Sequence, residues 1–366
     1  GYLCDKYGPR RVYAGLLALG ALPVMGVGLA QGYTSFLVCR LLIGLVGASF
    51  VITQYHTSAM FAPNVVGTAN ATTAGWGNLG GGVTQIAMPI VVLGLVALGA
   101  THAHAWRYAM LVPGGLMLVM SYLYLRYTQD SPFGKAERAV TGKSKGSLLE
   151  AARDRRVWAL CVGYGACFGV ELTIHNIAAS YFHDRFQLGL REAGMLAGSF
   201  GVLALFARSL GGFLGDRAGR RFGLNGRARF LTLMLLAEGL GLLAFARMND
   251  LVAAAVTLVV FGLFVHIAAG ATYSVVPFLK PEGVGAVAGI VGAGGNVGAV
   301  LAGFLFRDPS LSTQSALLWL GVAVVGAAVL SALVRFNESP ERSMSHGASS
   351  APQGIAQRMP EALPAE

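Results

Sequence analysis

The 366-residue chain is 55% hydrophobic and only 12% charged, with a formal net charge of +10. A soluble protein of this size has too little interior to bury so much apolar surface, and soluble domains are typically about 25% charged. These values exclude a cytosolic enzyme, a disordered chain and a small secreted scaffold. The four cysteines have neither CxxC spacing nor histidines at zinc-binding spacing, so we expect no metal site and no cofactor.

Ten apolar stretches are long enough to cross a bilayer as helices, which takes about 20 mostly apolar residues. In chain order they are 12–31, 35–61, 67–98, 106–126, 157–183, 193–215, 229–247, 251–277, 284–306 and 314–335. We therefore predict an all-α membrane protein. Its parts are an N-terminal half at 1–126, a central loop at 127–156, a C-terminal half at 157–335 and a disordered tail at 336–366.

The basic residues predict the orientation of these helices. Most of the 27 Lys and Arg fall on one side, in the segment 1–11, the break 127–156, the loop after residue 215 and the tail. Because basic loops stay in the cytoplasm, we expect the central loop and the tail to be cytoplasmic. The positive charge then reflects membrane topology, so the expected partner is the lipid bilayer and not nucleic acid.

The chain contains an internal repeat. Gly1-Tyr-Leu-Cys-Asp5-Lys-Tyr-Gly8-Pro-Arg10 fits the pattern G-x3-D-x2-G-x-R, and Gly212-Phe-Leu-Gly-Asp216-Arg-Ala-Gly219-Arg-Arg221 fits it again. Gly77-Asn78-Leu-Gly80 matches Gly295-Asn296-Val-Gly298 at nearly the same offset. Two homologous halves follow from these pairs. Two helices precede the motif in the second half and none precedes it in the first, so we expect a fragment with ten of twelve helices present.

Two parallel halves of six helices, a basic central loop and this repeated loop motif resemble the major facilitator transporters. The resemblance implies that the motif residues latch one access state, since aspartate accepts from helix N-termini and pairs with arginine. The gating residues expected on this basis are Asp5, Arg10, Asp216 and Arg221. The alternative is a tight turn with solvated charges.

Within that superfamily the chain resembles the nitrate/nitrite porters, and most of all the plant and algal high-affinity nitrate transporters. Two Gly-rich strings resemble the two nitrate motifs of the family: Gly75-Trp-Gly-Asn78-Leu-Gly-Gly-Gly82-Val-Thr-Gln85 and Gly292-Ala-Gly-Gly-Asn296-Val-Gly298. Further similar strings are Thr53-Gln-Tyr55, Gly169-Val-Glu-Leu-Thr173, Tyr181-Phe-His-Asp-Arg-Phe186 and Ala207-Arg-Ser-Leu-Gly-Gly212. The resemblance runs from residue 1 to about residue 335.

Arg208 is the strongest single candidate for substrate binding. It lies about two turns before Asp216, too deep in its helix for easy snorkelling to the interface. A guanidinium at that depth costs about 2.5–3.5 kcal/mol, and its planar fork of donors matches a planar oxyanion such as nitrate. No acidic residue lies one turn away on its own helix, so we expect the transported anion to supply the missing charge.

The other substrate-binding candidates are Asn78, Asn296, Tyr164, Phe168, Trp76, Gln54 and Tyr55. The asparagines are either anion ligands or hydrogen-bonding contacts between helices, and Trp76 is either a pocket wall or a lipid-facing aromatic. The resemblance implies that Tyr164 and Phe168, at i and i+4, sandwich the flat anion; ordinary helix packing is the alternative. Gln54 and Tyr55 either line the cavity or bond to neighbouring helices.

Two residues are candidates for coupling. Arg40 begins an Arg-x3-Gly element like the basic element that the superfamily associates with proton coupling, although snorkelling explains it equally well. Glu171 is a titratable group inside a predicted span, and such groups are functional candidates by default.

These features predict a secondary transporter, not an enzyme, that imports nitrate and also nitrite by proton symport and alternating access. No Walker-type nucleotide-binding loop is present, so ATP is not the direct energy source. The alternatives are a facilitator carrier of another small solute and a transport-inactive nitrate-sensing homologue. The resemblance also implies a plasma-membrane location and a single-span accessory protein as a partner.

Overall fold

The computed structural model describes residues 2–61, 66–130, 147–279 and 284–333. Over these ranges the chain folds as α-helices with two short 3-10 segments and no strand. The α-helices are α1 (Tyr2–Tyr7), α2 (Pro9–Gly26), α3 (Tyr33–Gly44), α4 (Ser49–Met60), α5 (Val66–Ala97), α6 (His102–Ala109), α7 (Leu111–Tyr127), α8 (Ser147–Arg153), α9 (Arg155–Phe186), α10 (Leu190–Val202), α11 (Ala204–Phe245), α12 (Leu251–Leu279), α13 (Val284–Arg307) and α14 (Thr313–Leu333).

Nine stretches of the described chain are long and apolar enough to cross a membrane. Eight correspond to single predicted spans, and the ninth, Leu190–Phe245, covers 56 residues and contains two of them. At 1.5 Å per residue such a stretch measures roughly 84 Å, far more than a bilayer core of about 30 Å. Its backbone leaves the helical region at Gly223, with φ 66°, and Gly219 lies against Arg227 beyond that point. The chain therefore turns back at Gly223, which accounts for the ten predicted spans.

Local sequence explains several helix ends. Pro9 starts α2 in the first turn, where its missing N–H costs no hydrogen bond. Asp154 caps α9 by accepting from the backbone N–H of Arg156 at 2.9 Å.

Helix α8 lies inside the segment 127–156 that we predicted as a loop. The rest of that loop at 131–146 and the predicted tail at 336–366 lie outside the described residues, so the proposed division of the chain stays a prediction.

Helix α5 of the first half packs against helices of the second half. In the first half α2 packs on α7, and in the second half α13 packs on α9 while α11 packs on α12 and α14. Helix α5 crosses over to pack against α10 and α11. The close approach depends on glycines, since a Cβ built at Gly82 would lie 2.7 Å from the backbone N of Val202 and 2.9 Å from the carbonyl oxygen of Gly198. Small residues at such crossings let helix backbones touch within a membrane.

We expect Gly82→Ala to destabilise the contact between the halves by about 1–3 kcal/mol, because the new methyl group meets backbone atoms that cannot rotate away. Gly77→Ala is the matched control on the same helix, since a Cβ there has nothing within 4 Å. The measurement is the thermal unfolding midpoint of the purified protein in detergent. Equal midpoints for the two variants would contradict the assigned packing.

Candidate functional site

Arg208 lies on α11 and is completely buried. Its Nη2 forms an ion pair with Oε2 of Glu171, which α9 contributes and which is 1% exposed. This contact corrects the expectation that the guanidinium lacks a counter-charge within the protein. The neighbouring turns of α11 contain no acidic residue, and the carboxylate comes from another helix. Breaking a buried pair by removing one partner is costly, so the two residues form one unit.

Asn78 of α5 is the third member of this cluster. A guanidinium only donates hydrogen bonds, so the amide oxygen of Asn78 faces it. In that orientation Oδ1 accepts from Nη2 of Arg208 at 2.8 Å and from Nη1 and Nε at 3.2 Å each. Helix α5 belongs to the first half and α11 to the second. Asn78, for which the sequence left open an anion ligand or a contact between helices, therefore contacts Arg208, and this contact joins the halves.

Aromatic rings surround the arginine. Tyr164 and Phe168 of α9 stack with centroids 5.1 Å apart and an angle of 10° between the planes. The Arg208 guanidinium lies 5.5 Å from the Phe168 ring centre. Tyr273 of α12 meets Tyr164 edge to face at 5.2 Å, and Phe50 of α4 stacks on Phe168 at 6.3 Å. Phe50 and Tyr273 also touch each other edge to face at 5.4 Å, so a side chain from the first half closes the aromatic cluster.

Phe50 and Tyr273 are not among the candidates predicted from the sequence, whereas His266 is, like Glu171, a titratable group inside a predicted span. His266 of α12 is completely buried, and its Nδ1 lies 3.5 Å from Oε2 of Glu171. Phe50 and Tyr273 belong to long apolar runs in which nothing local distinguishes a site residue from a packing residue. The term "arginine site" below means Arg208, Glu171, Asn78, Tyr164 and Phe168.

Several predicted binding residues have other described surroundings. Asn296 is exposed, and its Nδ2 donates to the carbonyl of Gly292 on its own helix at 3.4 Å. No contact between Asn296 and Arg208 is described, so its role in binding stays a prediction. Trp76 is 62% exposed, as its lipid-facing alternative requires. Gln54 is buried and donates to the carbonyl of Asn70 at 3.2 Å, so it joins α4 to α5.

No contact to Arg208 is described for the binding candidate Tyr55 or for the coupling candidate Arg40. Tyr55 is partly buried on α4. Arg40 is exposed on α3, which agrees with its snorkelling alternative. Their roles in binding and coupling stay predictions.

A second ion pair lies near the turn of α11. Asp216 pairs through Oδ1 with Arg227, and its Oδ2 accepts from the hydroxyl of Thr68 on α5 at 3.0 Å. Arg227 also donates to the carbonyl of Ser274 at 2.9 Å and lies 4.4 Å over the ring of Phe278. We call Asp216, Arg227 and Thr68 the aspartate bridge. It links the halves, as a latch requires.

The aspartate bridge identifies the arginine that pairs with Asp216. The gating role expected for Arg221 stays a prediction. Arg221 is exposed and its guanidinium lies 5.4 Å over the neighbouring Phe222 ring, so Arg227 and not Arg221 pairs with Asp216. In the first motif the backbone N–H of Arg10 donates to Oδ1 of Asp130 at 3.0 Å. The side chain of Asp5 lies outside the described residues.

Comparison with known proteins places these features in context. Residues 1–225 match the Major Facilitator Superfamily. The chain is 38% identical to the high affinity nitrate transporter 2.5 of Arabidopsis thaliana, over 92% of this chain and 68% of that protein. It is 35% identical to the nitrate transporter 2.2 of Chlamydomonas reinhardtii, over 90% of this chain and 67% of that protein. The nitrate/nitrite transporter NrtP of Nostoc punctiforme is 26% identical over 82% of this chain and 74% of that protein.

Solved structures agree on the fold. The proton:xylose symporter XylE superposes with a TM-score of 0.64 at 16% identity, covering 90% of this chain and 80% of that one. The fucose:proton symporter FucP of E. coli gives a TM-score of 0.61 at 15% identity, covering 90% and 85%. At these identities the likeness concerns the fold alone.

Proposed function

The chain belongs to the nitrate/nitrite porter family of the major facilitator superfamily, and from that premise we propose that it imports nitrate, and also nitrite, by proton-coupled symport. It is a multi-pass membrane protein of a transporter family and not an enzyme. The observation that carries the proposal is the arginine site, in which a buried guanidinium lies beside two stacked aromatic rings.

The chemistry of the arginine site favours a small planar anion. A guanidinium fork donates two parallel hydrogen bonds to two oxygens of one oxyanion. The flat faces of Tyr164 and Phe168 present apolar surface to a weakly hydrated, planar ion, and Asn78 already hydrogen-bonds the same guanidinium. A sugar would need several amide and carboxylate partners for its hydroxyl groups. We propose that nitrate binds at Arg208 in place of Glu171.

The energetics require coupling. Moving an anion into a cell with a negative interior costs about 2.3 kcal/mol per 100 mV. More than one proton per nitrate makes the cycle electrically downhill. We propose Glu171 as a coupling residue, because it is the acidic group that competes with the anion for Arg208.

Alternating access is the proposed mechanism of transport. The two halves rock about the arginine site. Such a movement breaks and remakes two contacts between the halves. One is the stacking of Phe50 on Phe168, and the other is the aspartate bridge between α5 and α11.

The proposed orientation rests on the charge distribution, and the proposed plasma-membrane location rests on the family resemblance. We propose a plasma-membrane transporter with the central loop and tail in the cytoplasm, in accord with the basic loops on that side. The family resemblance also leads us to propose a single-span accessory protein as a partner. Co-expression that raises surface abundance would support that partner, and equal abundance without it would argue against it.

The proposal is tested by nitrate uptake into proteoliposomes under an inward proton gradient. We expect nitrate to accumulate above its equilibrium level and Arg208→Lys to raise the half-saturating concentration about tenfold or more, because a charge-assisted hydrogen bond of about 1.5–3 kcal/mol is lost. Arg247→Lys is the matched control, since Arg247 is exposed after the end of α11. Absence of nitrate uptake in the wild type, or unchanged affinity in Arg208→Lys, would contradict the proposal.

A further inference from the structure

We infer that Glu171 and His266 together form the proton-binding site of this transporter, and that a proton bound between them releases Arg208 to the anion. The inference rests on the proposed function and names the second residue that its coupling step needs. His266 is on α12, and Glu171 is on α9.

The hydrogen bond that His266 makes to Phe200 indicates which ring nitrogen carries a hydrogen. Its Nε2 lies 3.0 Å from the carbonyl oxygen of Phe200. A carbonyl oxygen only accepts, so Nε2 carries a hydrogen. In a neutral ring Nδ1 is then a bare acceptor, and it faces Oε2 of Glu171 at 3.5 Å. Two acceptors face each other there unless a proton lies between them.

Both members of the pair are buried. The side chains of His266 and Glu171 are 0% and 1% exposed, so water does not solvate the gap from outside. The same Oε2 of Glu171 also accepts a hydrogen bond from Nη2 of Arg208. One carboxylate oxygen therefore has two competing partners, a guanidinium and a proton shared with an imidazole.

Other titratable groups surround the pair. On α9 these are His175, one turn after Glu171, and Tyr164; on α11 they are Arg208 and Glu238. His175 packs its ring on Phe200 at 5.5 Å. Glu238 is completely buried, and neither of its oxygens has a hydrogen-bond partner among the described residues. Of the two histidines, His266 is the one whose ring nitrogen faces the carboxylate oxygen that Arg208 uses.

The charges balance in both states. In the empty site, positive Arg208 pairs with negative Glu171 and His266 is neutral. When a proton binds, it joins the carboxylate oxygen of Glu171 and is hydrogen-bonded to Nδ1 of His266, and the ion pair with Arg208 opens because the carboxyl group is now neutral. Nitrate then takes the place of the carboxylate on the guanidinium. The site takes up one proton with one nitrate and stays neutral, so any further proton of the cycle binds elsewhere.

The first test uses the unmodified protein. In weakly buffered solution above the midpoint of the pH dependence, adding nitrate to the purified transporter should cause uptake of about one proton per nitrate bound, read with a pH-indicator dye. By reciprocity, nitrate affinity should increase as the pH falls. Nitrate binding without proton uptake would overturn the inference and leave nitrate binding itself established.

The second test uses His266→Gln. The glutamine side chain can replace the hydrogen bond to Phe200 but cannot take up a proton. We expect the midpoint of the pH dependence of nitrate affinity to move at least one pH unit towards acid, which corresponds to a tenfold weaker proton affinity. At the acid end of the range, nitrate affinity should be close to that of the wild type. His183→Gln is the control, because His183 is exposed near the end of α9 and contacts the carbonyl of Leu188. An unchanged midpoint in His266→Gln, or a shift in His175→Gln instead, would overturn the assignment.

A readout without nitrate separates this inference from the proposed function. Infrared difference spectra between acid and neutral pH should contain the band of a buried carboxylic acid. The band should be absent in Glu171→Gln, and the pH at which it reaches half its intensity should shift in His266→Gln. If the wild type binds no nitrate but these bands behave as expected, the proposed substrate is wrong and the proton site stands. If the bands are the same in all three proteins, the proton site is wrong.

Discussion

Replacing Arg208 by glutamine should abolish nitrate uptake and destabilise the protein by about 3–5 kcal/mol, because it leaves Glu171 as an unpaired buried carboxylate. Glu171→Gln should also impair coupling, since it leaves the guanidinium without its counter-charge. The double variant Arg208→Gln/Glu171→Gln removes both charges together. We expect it to recover most of the lost stability but none of the uptake.

The comparison separates folding from binding. Thermal unfolding in detergent measures the stability of the four proteins, and uptake at matched surface abundance measures their function. A double variant that is as unstable as Arg208→Gln would show that the ion pair is not the unit we describe. A double variant that transports nitrate with wild-type affinity would show that the anion binds elsewhere.

Arg227→Ala should reduce transport by an order of magnitude or more, whereas Arg221→Ala should leave it near the wild-type rate. Arg227 pairs with Asp216 and donates to the carbonyl of Ser274 on α12, so its loss leaves Asp216 without its cation and removes a link between α11 and α12. Arg221 is exposed and contacts only the neighbouring Phe222 ring among the contacts described for it. The two arginines lie in the same turn region, which makes them a matched pair.

The expected mechanism is a shift between access states. Without the aspartate bridge, the halves should separate more readily on that side, which labelling of single cysteines on α5 facing α11 would detect as faster modification. Equal transport rates in the two variants, or a larger loss in Arg221→Ala, would contradict the role given to Arg227.

Hydropathy predicted the helices well because membrane insertion is governed by local apolar length. The stretch that departs most from the prediction is Leu190–Phe245, where helical geometry continues on both sides of Gly223 and the polar turn is short. The depth of Arg208 was also predictable, since its distance from the motif aspartate is set by helix geometry.

The partners of the charged residues were not predictable in the same way. Glu171 meets Arg208 only because α9 packs near α11, and the choice of Arg227 over Arg221 depends on how the chain turns back at Gly223. Phe50 and His266 reach the arginine site from α4 and α12. Such contacts between distant segments leave no periodic signal in a single sequence.

A structure of the protein with nitrate bound tests the central claim most directly. The account predicts a planar density between Arg208 and the faces of Tyr164 and Phe168, with the carboxylate of Glu171 withdrawn from the guanidinium towards His266. Nitrate bound away from Arg208, or an Arg208–Glu171 ion pair that stays closed in the nitrate-bound protein, would contradict it.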